Sequence, residues 1–415
     1  MKNENLVPKV RFKGFSDPWE QRKLGEMYYF KNGLNKGKEF FGFGTPIVNF
    51  VDVFHNRGLY AQNLNGRVNL TEKEINNFRV HKGDIFFTRT SETIEEIGFP
   101  SVMLSEPQDT VFSGFVLRGR SLEKPGQLVN IFKKYVFFTN AFRKEMVTKS
   151  SMTTRALTSG TALSAMRVKF PLEATEQKKI GELITRLDYL IAANEDKLEQ
   201  LKTLKKLMMQ KIFSQKWRFK GFTDPWEQRK LKWFLRVSKL KNIDGIFDKN
   251  SVLSVSGEFG VVNQIAFQGR SFAGKSILNY GILDHNDVVY TKSPLKSNPY
   301  GIIKTNLGKA GVVSTLYAVY APLKTVYSPI LGYYFNLDTR VNNYLRPLVN
   351  KGAKNDMKVR DEAVLEGKVC IPDSIETQKR ICNLFSLIDN LIAANEDKLN
   401  QLKKLKKYLM QNMFV

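Results

Sequence analysis

Three stretches of the chain carry residue types at spacings that could do chemistry. Gly269-Arg-Ser-Phe-Ala-Gly274-Lys275-Ser276 matches the phosphate-cradling loop of nucleotide-binding proteins letter for letter. Such a loop works between a buried strand and a substantial helix, whose first N–H groups hold the phosphates. Val261–Phe267 could supply the strand, but too few residues separate Ser276 from Tyr280-Gly281 to supply the helix. Ser297-Asn-Pro-Tyr300 is one proline short of the tetrapeptide used by amino-methyltransferases, and no glycine-rich cofactor loop stands in a suitable place. Asp373 with Glu396-Asp-Lys398 offers the two carboxylates and lysine that nucleases array around Mg²⁺. The chain's other copy of that segment has Leu172 in place of the aspartate, and a helix would put Glu396 about 34 Å from Asp373. Two cysteines, Cys370 and Cys382, and three scattered histidines, His55, His81 and His285, lack metal-ligand spacing. The expectation is a chain with no catalytic centre and no metal. A stand-alone P-loop ATPase or methyltransferase is the alternative.

What remains for chemistry is charge and hydrogen bonding. The 415 residues carry 65 Lys+Arg against 40 Asp+Glu, a net +25, which points to a polyanionic partner, nucleic acid first, with an anionic membrane surface or a merely soluble basic protein as the alternatives. Double-stranded DNA is held by cations on phosphates and read by donors and acceptors at base edges. Polar, basic loops are where such groups are expected. In the first half these are Thr88-Arg89-Thr-Ser91, Arg118-Gly-Arg120, and Lys149-Ser-Ser-Met-Thr-Thr-Arg155. In the second they are Arg270 to Ser276 with Lys275, Lys292-Ser-Pro-Leu-Lys296, and Lys351-Gly-Ala-Lys354. Arg89 and Lys292 take matching places after the short β-rich runs Asp84-Ile-Phe-Phe-Thr88 and Asp287-Val-Val-Tyr-Thr291.

The elements that must position these loops come in duplicate. Leu190–Leu198 reads L-I-A-A-N-E-D-K-L, and Leu391–Leu399 repeats all nine letters 201 residues on. From Ile180 and Ile381 onward, apolar residues step by four and three, the seam of a coiled coil. The first seam runs Ile180, Ile184, Leu187, Ile191, Leu198, Leu201, Met208, Ile212; the second runs Ile381, Phe385, Ile388, Ile392, Leu399, Leu402, Leu409, Met413. Asn194 and Asn395 hold the seam positions both series skip. A second repeat opens each half: Arg11–Leu24, R-F-K-G-F-S-D-P-W-E-Q-R-K-L, returns as Arg218–Leu231 with Thr223 for Ser16. Trp19 and Trp226 within it read as packing anchors.

The order is domain, helix, domain, helix. Compact domains keep their ends close together, so the two helices are expected to run antiparallel with one domain at each end. Asn194 and Asn395 are then expected to meet near the middle and set the register of the pair. About 37 helical residues span roughly 55 Å, on the order of 16 base pairs of B-DNA. The predicted fold class is α+β: two mixed α/β domains joined by two long antiparallel coiled-coil helices, in a pseudo-twofold internal repeat. The expected boundaries are 1–170, 171–215, 216–371 and 372–415. Hydrophobic content of 42% suits globular domains with real cores. No apolar run approaches the roughly 20 residues of a membrane span, and the N-terminus has no signal-peptide core. The expected setting is the cytoplasm with no membrane partner, at the nucleoid when bound to DNA.

Taken together, R-F-x-G-F…W-E-x-x-K-L opening each half, a closing proline followed by E-Q-K-K-I or T-Q-K-R-I, and the L-I-A-A-N-E-D-K-L…L-K-x-L-K-K helix resemble the specificity subunit of a Type I restriction–modification enzyme. The resemblance covers the whole chain. It implies that each variable region is a target recognition domain reading half of a split DNA site. It implies helices that space the domains and dock two methyltransferase subunits, through which motor-nuclease subunits join. The S-adenosylmethionine, ATP and Mg²⁺ would belong to those partners, none to this chain. Because the two domains differ strongly, the target is expected to be asymmetric as well as interrupted. A scaffold that binds DNA without specificity is the third reading.

Overall fold

A computed structural model describes residues 6–122, 126–222, 226–351 and 357–415. The chain divides into two units, residues 1–195 with 397–415, and residues 196–396. The long helices are Ala174–Phe213 and Ile375–Asn412, 40 and 38 residues. Each unit therefore contains one globular domain, half of one long helix and half of the other.

Within the first unit the two helix halves run antiparallel. Lys403 pairs with Glu195 at 2.6 Å, and farther along Lys406 pairs with Asp188. The second unit repeats this with Lys202–Glu396 at 2.7 Å and Lys205–Asp389 at 2.5 Å. The seam is buried where each helix meets its domain. Ile180, Ile184 and Leu187 join Leu409, Met413 and Phe414 in the first core. Ile381, Phe385 and Ile388 join Met209, Ile212 and Phe213 in the second. Met208, placed on the seam by its spacing, is only half-buried; Met209 takes the buried position. A 3.5-residue sequence repeat drifts against 3.6 residues per turn, and over eight turns the drift amounts to about one residue. Asn194 and Asn395 are buried, and each side-chain amide donates to a carbonyl one turn back on its own helix, Leu190 and Leu391, at 2.7 Å.

Both domains use the same sheet. In the first unit its five strands lie in the order Tyr28–Asn32, Val116–Ser121, Ile85–Thr88, Pro100–Met103, Gly58–Leu59. In the second, four strands follow the same plan: Leu235–Val237, Tyr317–Pro322, Val288–Thr291, Ile303–Thr305. The β-branched and aromatic runs predicted as strands are the central ones, buried on both faces. A two-stranded ladder closes each domain's ends, Glu20–Lys23 on Arg167–Phe170 and Gln228–Lys230 on Lys368–Cys370. The variable regions thus share far more structure than sequence. Trp19 is buried in the first core, edge-on to Phe132 and Phe414; Trp226 stands edge-on to Phe213 in the second.

Domain and helix are joined by a fully buried glutamine that recurs in both units. The Gln177 Oε1 accepts the Val129 N–H at 2.8 Å, and its Nε2 donates to the carbonyl of the closing Pro171 at 2.8 Å. Gln378 does the same with the Tyr327 N–H and the Pro372 carbonyl, both at 2.7 Å. A hydroxyl adds to each joint: Tyr135 donates to Asp188 and Tyr333 to Asp389. Replacing Gln177 by Leu strands a part-buried N–H and a buried carbonyl, at up to about 1–3 kcal/mol for each orphaned group. Gln177→Leu is therefore expected to lower the urea midpoint of the first unit's unfolding, and Gln378→Leu that of the second.

Candidate nucleic-acid interface

The central strand of each domain delivers one side chain to the surface by the same device. In the first unit the Thr88 hydroxyl accepts the Phe99 N–H at 2.9 Å and ends the strand. Arg89 follows, its N–H bonded to the Phe115 carbonyl at 2.9 Å. In the second unit Thr291 accepts the Ile302 N–H at 3.0 Å, and the Lys292 N–H bonds the Leu316 carbonyl at 3.1 Å. The turns that present Phe115 and Leu316 are alike as well: the Ser113 hydroxyl accepts the Phe115 N–H, and the Ser314 hydroxyl accepts the Leu316 N–H, both at 3.3 Å. Phe115 is 62% exposed and Leu316 60%. Sequence reasoning passed over these two residues; the signal was a serine two positions before each, repeated at an offset of 201.

Around Arg89 the fold gathers two of the predicted loops. Thr90–Ser91 pairs with Ala156–Leu157, which pairs with Ser151–Met152, so Lys149 to Arg155 forms a hairpin beside the arginine. Residues 151–155 are all exposed, and Arg155 meets Glu92 at 3.0 Å on that surface. Lys149, at the end of helix Asn140–Lys149, lies 3.9 Å from Glu145. Arg89 also lines a groove of about 590 Å³ with Tyr29, Lys31, Ser159 and Thr161. Lys31 is fastened to Asn77, and burial, with Arg118 and Arg120 nearby, lowers its pKa. The groove thus combines cations, hydroxyls and an exposed tyrosine ring, the chemistry that holds phosphates and contacts bases.

Arg118 and Arg120 are not on that surface. They alternate with Gly119 along strand Val116–Ser121, so both face one side of the sheet while Gly119 faces the other. A side chain at 119 would meet Phe30 and Ile85 at about 3 Å, so the glycine there serves packing and marks no loop. Arg118 is only 4% exposed, lies over the Phe112 ring and donates to the Arg79 carbonyl at 2.9 Å. Arg120 forks onto the buried Asp84 at 2.8 and 2.7 Å and also donates to the Arg79 carbonyl. The charge of Arg118 is spent inside the domain, and the expectation of DNA contact does not carry over to it; Arg120 is tied to Asp84 with about a third of its side chain, 34%, exposed.

The second unit repeats the layout with other residues. Helix Asp338–Leu345 leads to the strand pair Asn350–Lys351 and Met357–Lys358, in the place of the first unit's hairpin. Lys354 lies outside the described residues, and of Lys351 only the backbone strand is described. Lys292 pairs with Asp361 at 2.6 Å. Lys296 is exposed on a loop pinned by Asn342, which donates to the Ser297 carbonyl. Arg270 and Lys275 are exposed, and Arg270 stacks on Phe272 at 4.6 Å. Their loop follows the short helix Gln264–Gln268, which ends at Gly269 with φ of +76°. No helix follows Ser276, so the phosphate-loop letters lack the N–H cradle that nucleotide binding needs. Asp373 accepts from Arg229 at 3.3 Å and Glu396 pairs with Lys202, so the nuclease-like letters do not converge. Among the described residues no group of three His, Cys, Asp or Glu is placed to hold a metal, and no helix is long and apolar enough to cross a membrane.

No family model matches the chain. Over 440 aligned residues it is 24% identical to a protein of Methanocaldococcus jannaschii named as the MjaX specificity subunit of a type I restriction enzyme, covering 99% of this chain and 95% of that one. Among solved structures, the S subunit of a type I restriction–modification system from M. genitalium shares the fold with a TM-score of 0.58, at 13% identity over 99% of both chains. The HsdS subunit of Thermoanaerobacter tengcongensis matches with a TM-score of 0.50, at 13% identity over 97% of this chain and 98% of that one. The resemblance drawn from the repeated motifs is borne out along the whole chain, in sequence by the first protein and in fold by the other two.

Arg120→Ala would leave the buried Asp84 carboxylate with the His81 N–H but without its cation, a loss of roughly 1.5–3 kcal/mol. Urea denaturation is expected to register that loss, whereas Phe115→Ala, at an exposed turn, is expected to shift stability by no more than about 0.5 kcal/mol.

Proposed function

We propose that this chain is the DNA-specificity subunit of a type I restriction–modification complex, non-catalytic itself, in which each domain reads one half of a split and asymmetric target. One observation carries the reading: a single scaffold is built twice and delivers different side chains from the same station, Arg89 and Phe115 in one unit, Lys292 and Leu316 in the other. Identical readers would fit a palindrome; dissimilar readers on one scaffold fit two unlike half-sites. The net charge of +25 supports phosphate contacts that make affinity fall steeply with salt. In the first domain Arg89, Lys149 and Arg155 supply the cations; in the second Arg270, Lys275, Lys292, Lys296, Lys351 and Lys354 do.

Footprinting on a duplex carrying the target is expected to give two protected blocks with an unread gap. Deletion of the gene is expected to erase N6-methyladenine at one split, asymmetric motif in single-molecule sequencing of the host genome. Phe115→Ala should relax specificity in one half-site only, and Leu316→Ala in the other, through loss of apolar contact with a base edge. A single continuous footprint without sequence preference would leave a non-specific scaffold instead.

The helices present the second half of the proposal. Leu204 and Leu207 are exposed on the first long helix, and Leu405 and Tyr408 hold the matching places on the second. Apolar residues three apart share one helical face, and an exposed apolar face marks a docking surface. A face that occurs twice suits two copies of one partner, here the methyltransferase subunit, with the motor-nuclease subunits joining through it. S-adenosylmethionine, ATP and Mg²⁺ would be held by those subunits. Leu405→Glu with Tyr408→Glu is expected to lower the bound methyltransferase from two copies to one, read as the mass of the assembled complex.

A further inference from the structure

The second unit carries a basic cleft that the DNA-reading surface does not use. Its volume is about 610 Å³, within the range of ligand sites. Four cations line it: Lys211 near the end of the first long helix, Lys216 just beyond that helix, Arg340 on helix Asp338–Leu345, and Lys368 on the strand Lys368–Cys370. Ser214, Thr339 and Asn343 add hydrogen-bonding groups, and no carboxylate lines it among the described residues. Cations at a helix C-terminus are favourable in themselves, which accounts for Lys211 and Lys216. It does not account for the other two.

Arg340 is the telling residue. Its guanidinium is half-buried between the rings of Phe213 and Tyr334, at 5.2 and 4.8 Å, and its only hydrogen-bond partner among the described residues is the Tyr334 carbonyl at 3.2 Å. Burial lowers its pKa, with Tyr334 alone opposing that, and no carboxylate is among the residues that line the cleft. A desolvated cation without a counter-charge is costly unless an anion joins it.

The first unit provides an internal comparison. There the position of Arg340 is held by the buried Phe142, and that of Asn343 by Glu145, whose carboxylate accepts the Arg167 N–H at 3.0 Å. Asn412 stands where the second unit has Lys211. The corresponding cleft is smaller, about 280 Å³, and holds its own acid.

We infer that the cleft formed by Lys211, Lys216, Arg340 and Lys368 is a phosphate-binding site peculiar to the second unit. Guanidinium and ammonium groups with hydroxyl and amide neighbours are the donor set that phosphate oxygens take. The phosphate comes either from duplex backbone flanking the half-site or from a free nucleotide.

The test titrates the full chain with inorganic tripolyphosphate in a calorimeter. It also measures the salt dependence of its affinity for a duplex carrying the target. Lys216→Gln with Lys368→Gln alters two exposed side chains and should leave the fold intact, which the melting curve checks. The double variant is expected to bind tripolyphosphate at least 10-fold more weakly, with Arg167→Gln in the first unit without effect. A DNA source also lowers the salt slope of the double variant by about 1–2; a free nucleotide leaves that slope unchanged. The inference is overturned if the double variant keeps wild-type affinity for tripolyphosphate, or if the wild-type chain does not bind it. Neither result touches the reading of base sequence, which rests on Arg89, Phe115, Lys292 and Leu316.

Discussion

A dry joint between a globular domain and a long helix leaves backbone polar groups with nowhere to go, and everything else in this fold depends on satisfying them. One glutamine per unit does it. Gln177 and Gln378 each take an N–H from one loop and give to the carbonyl of the proline that ends the domain. The amide is an uncharged side-chain group that can donate and accept at once in a fixed plane. A carboxylate could not donate to the carbonyl, and an aliphatic residue would strand both groups. With the joint fixed, the helix leaves each domain at a set angle. The Tyr–Asp–Lys contacts then continue the lock along the helix pair inside each unit.

The parts of this fold with local signals were legible. Alternating steps of three and four announced the helices, and two short apolar runs announced the central strands. The recurrence of Gln177 as Gln378 was visible too, but its role was not, because the bonded partners lie 48 and 51 residues away. Arg118-Gly-Arg120 misled for a related reason. Two arginines around a glycine look like a basic loop, and only the pairing of strand Val116–Ser121 with both its neighbours shows which side they face. Arg89 and Lys292 were placed together by their position after a strand, a local signal. Phe115 and Leu316 come beside them through a turn from another strand, and so escaped notice.

A scaffold built twice separates two demands that would otherwise compete. The sheet keeps its strand order and its burial in both units while its residues change, Ile85–Thr88 against Val288–Thr291 and Val116–Ser121 against Tyr317–Pro322; the glutamine joint keeps its residue as well. The hairpin after helix Asn140–Lys149 and the loop between Lys292 and Tyr300 sit outside that framework. Their side chains can differ without disturbing it.

The first unit is not contiguous in sequence. Phe414 stacks on Phe132 at 5.5 Å and stands edge-on to Trp19, and the Val10 N–H bonds the Asn412 carbonyl. Those last residues leave the ribosome after the roughly 200 that make the second unit. At about 5–20 residues per second, the first domain waits roughly 10–40 s with part of its core uncovered. The second unit, by contrast, is complete within one stretch of chain. The domain synthesised first is therefore the one finished last, and it spends that interval exposing the Trp19 and Phe132 surface to chaperones and proteases.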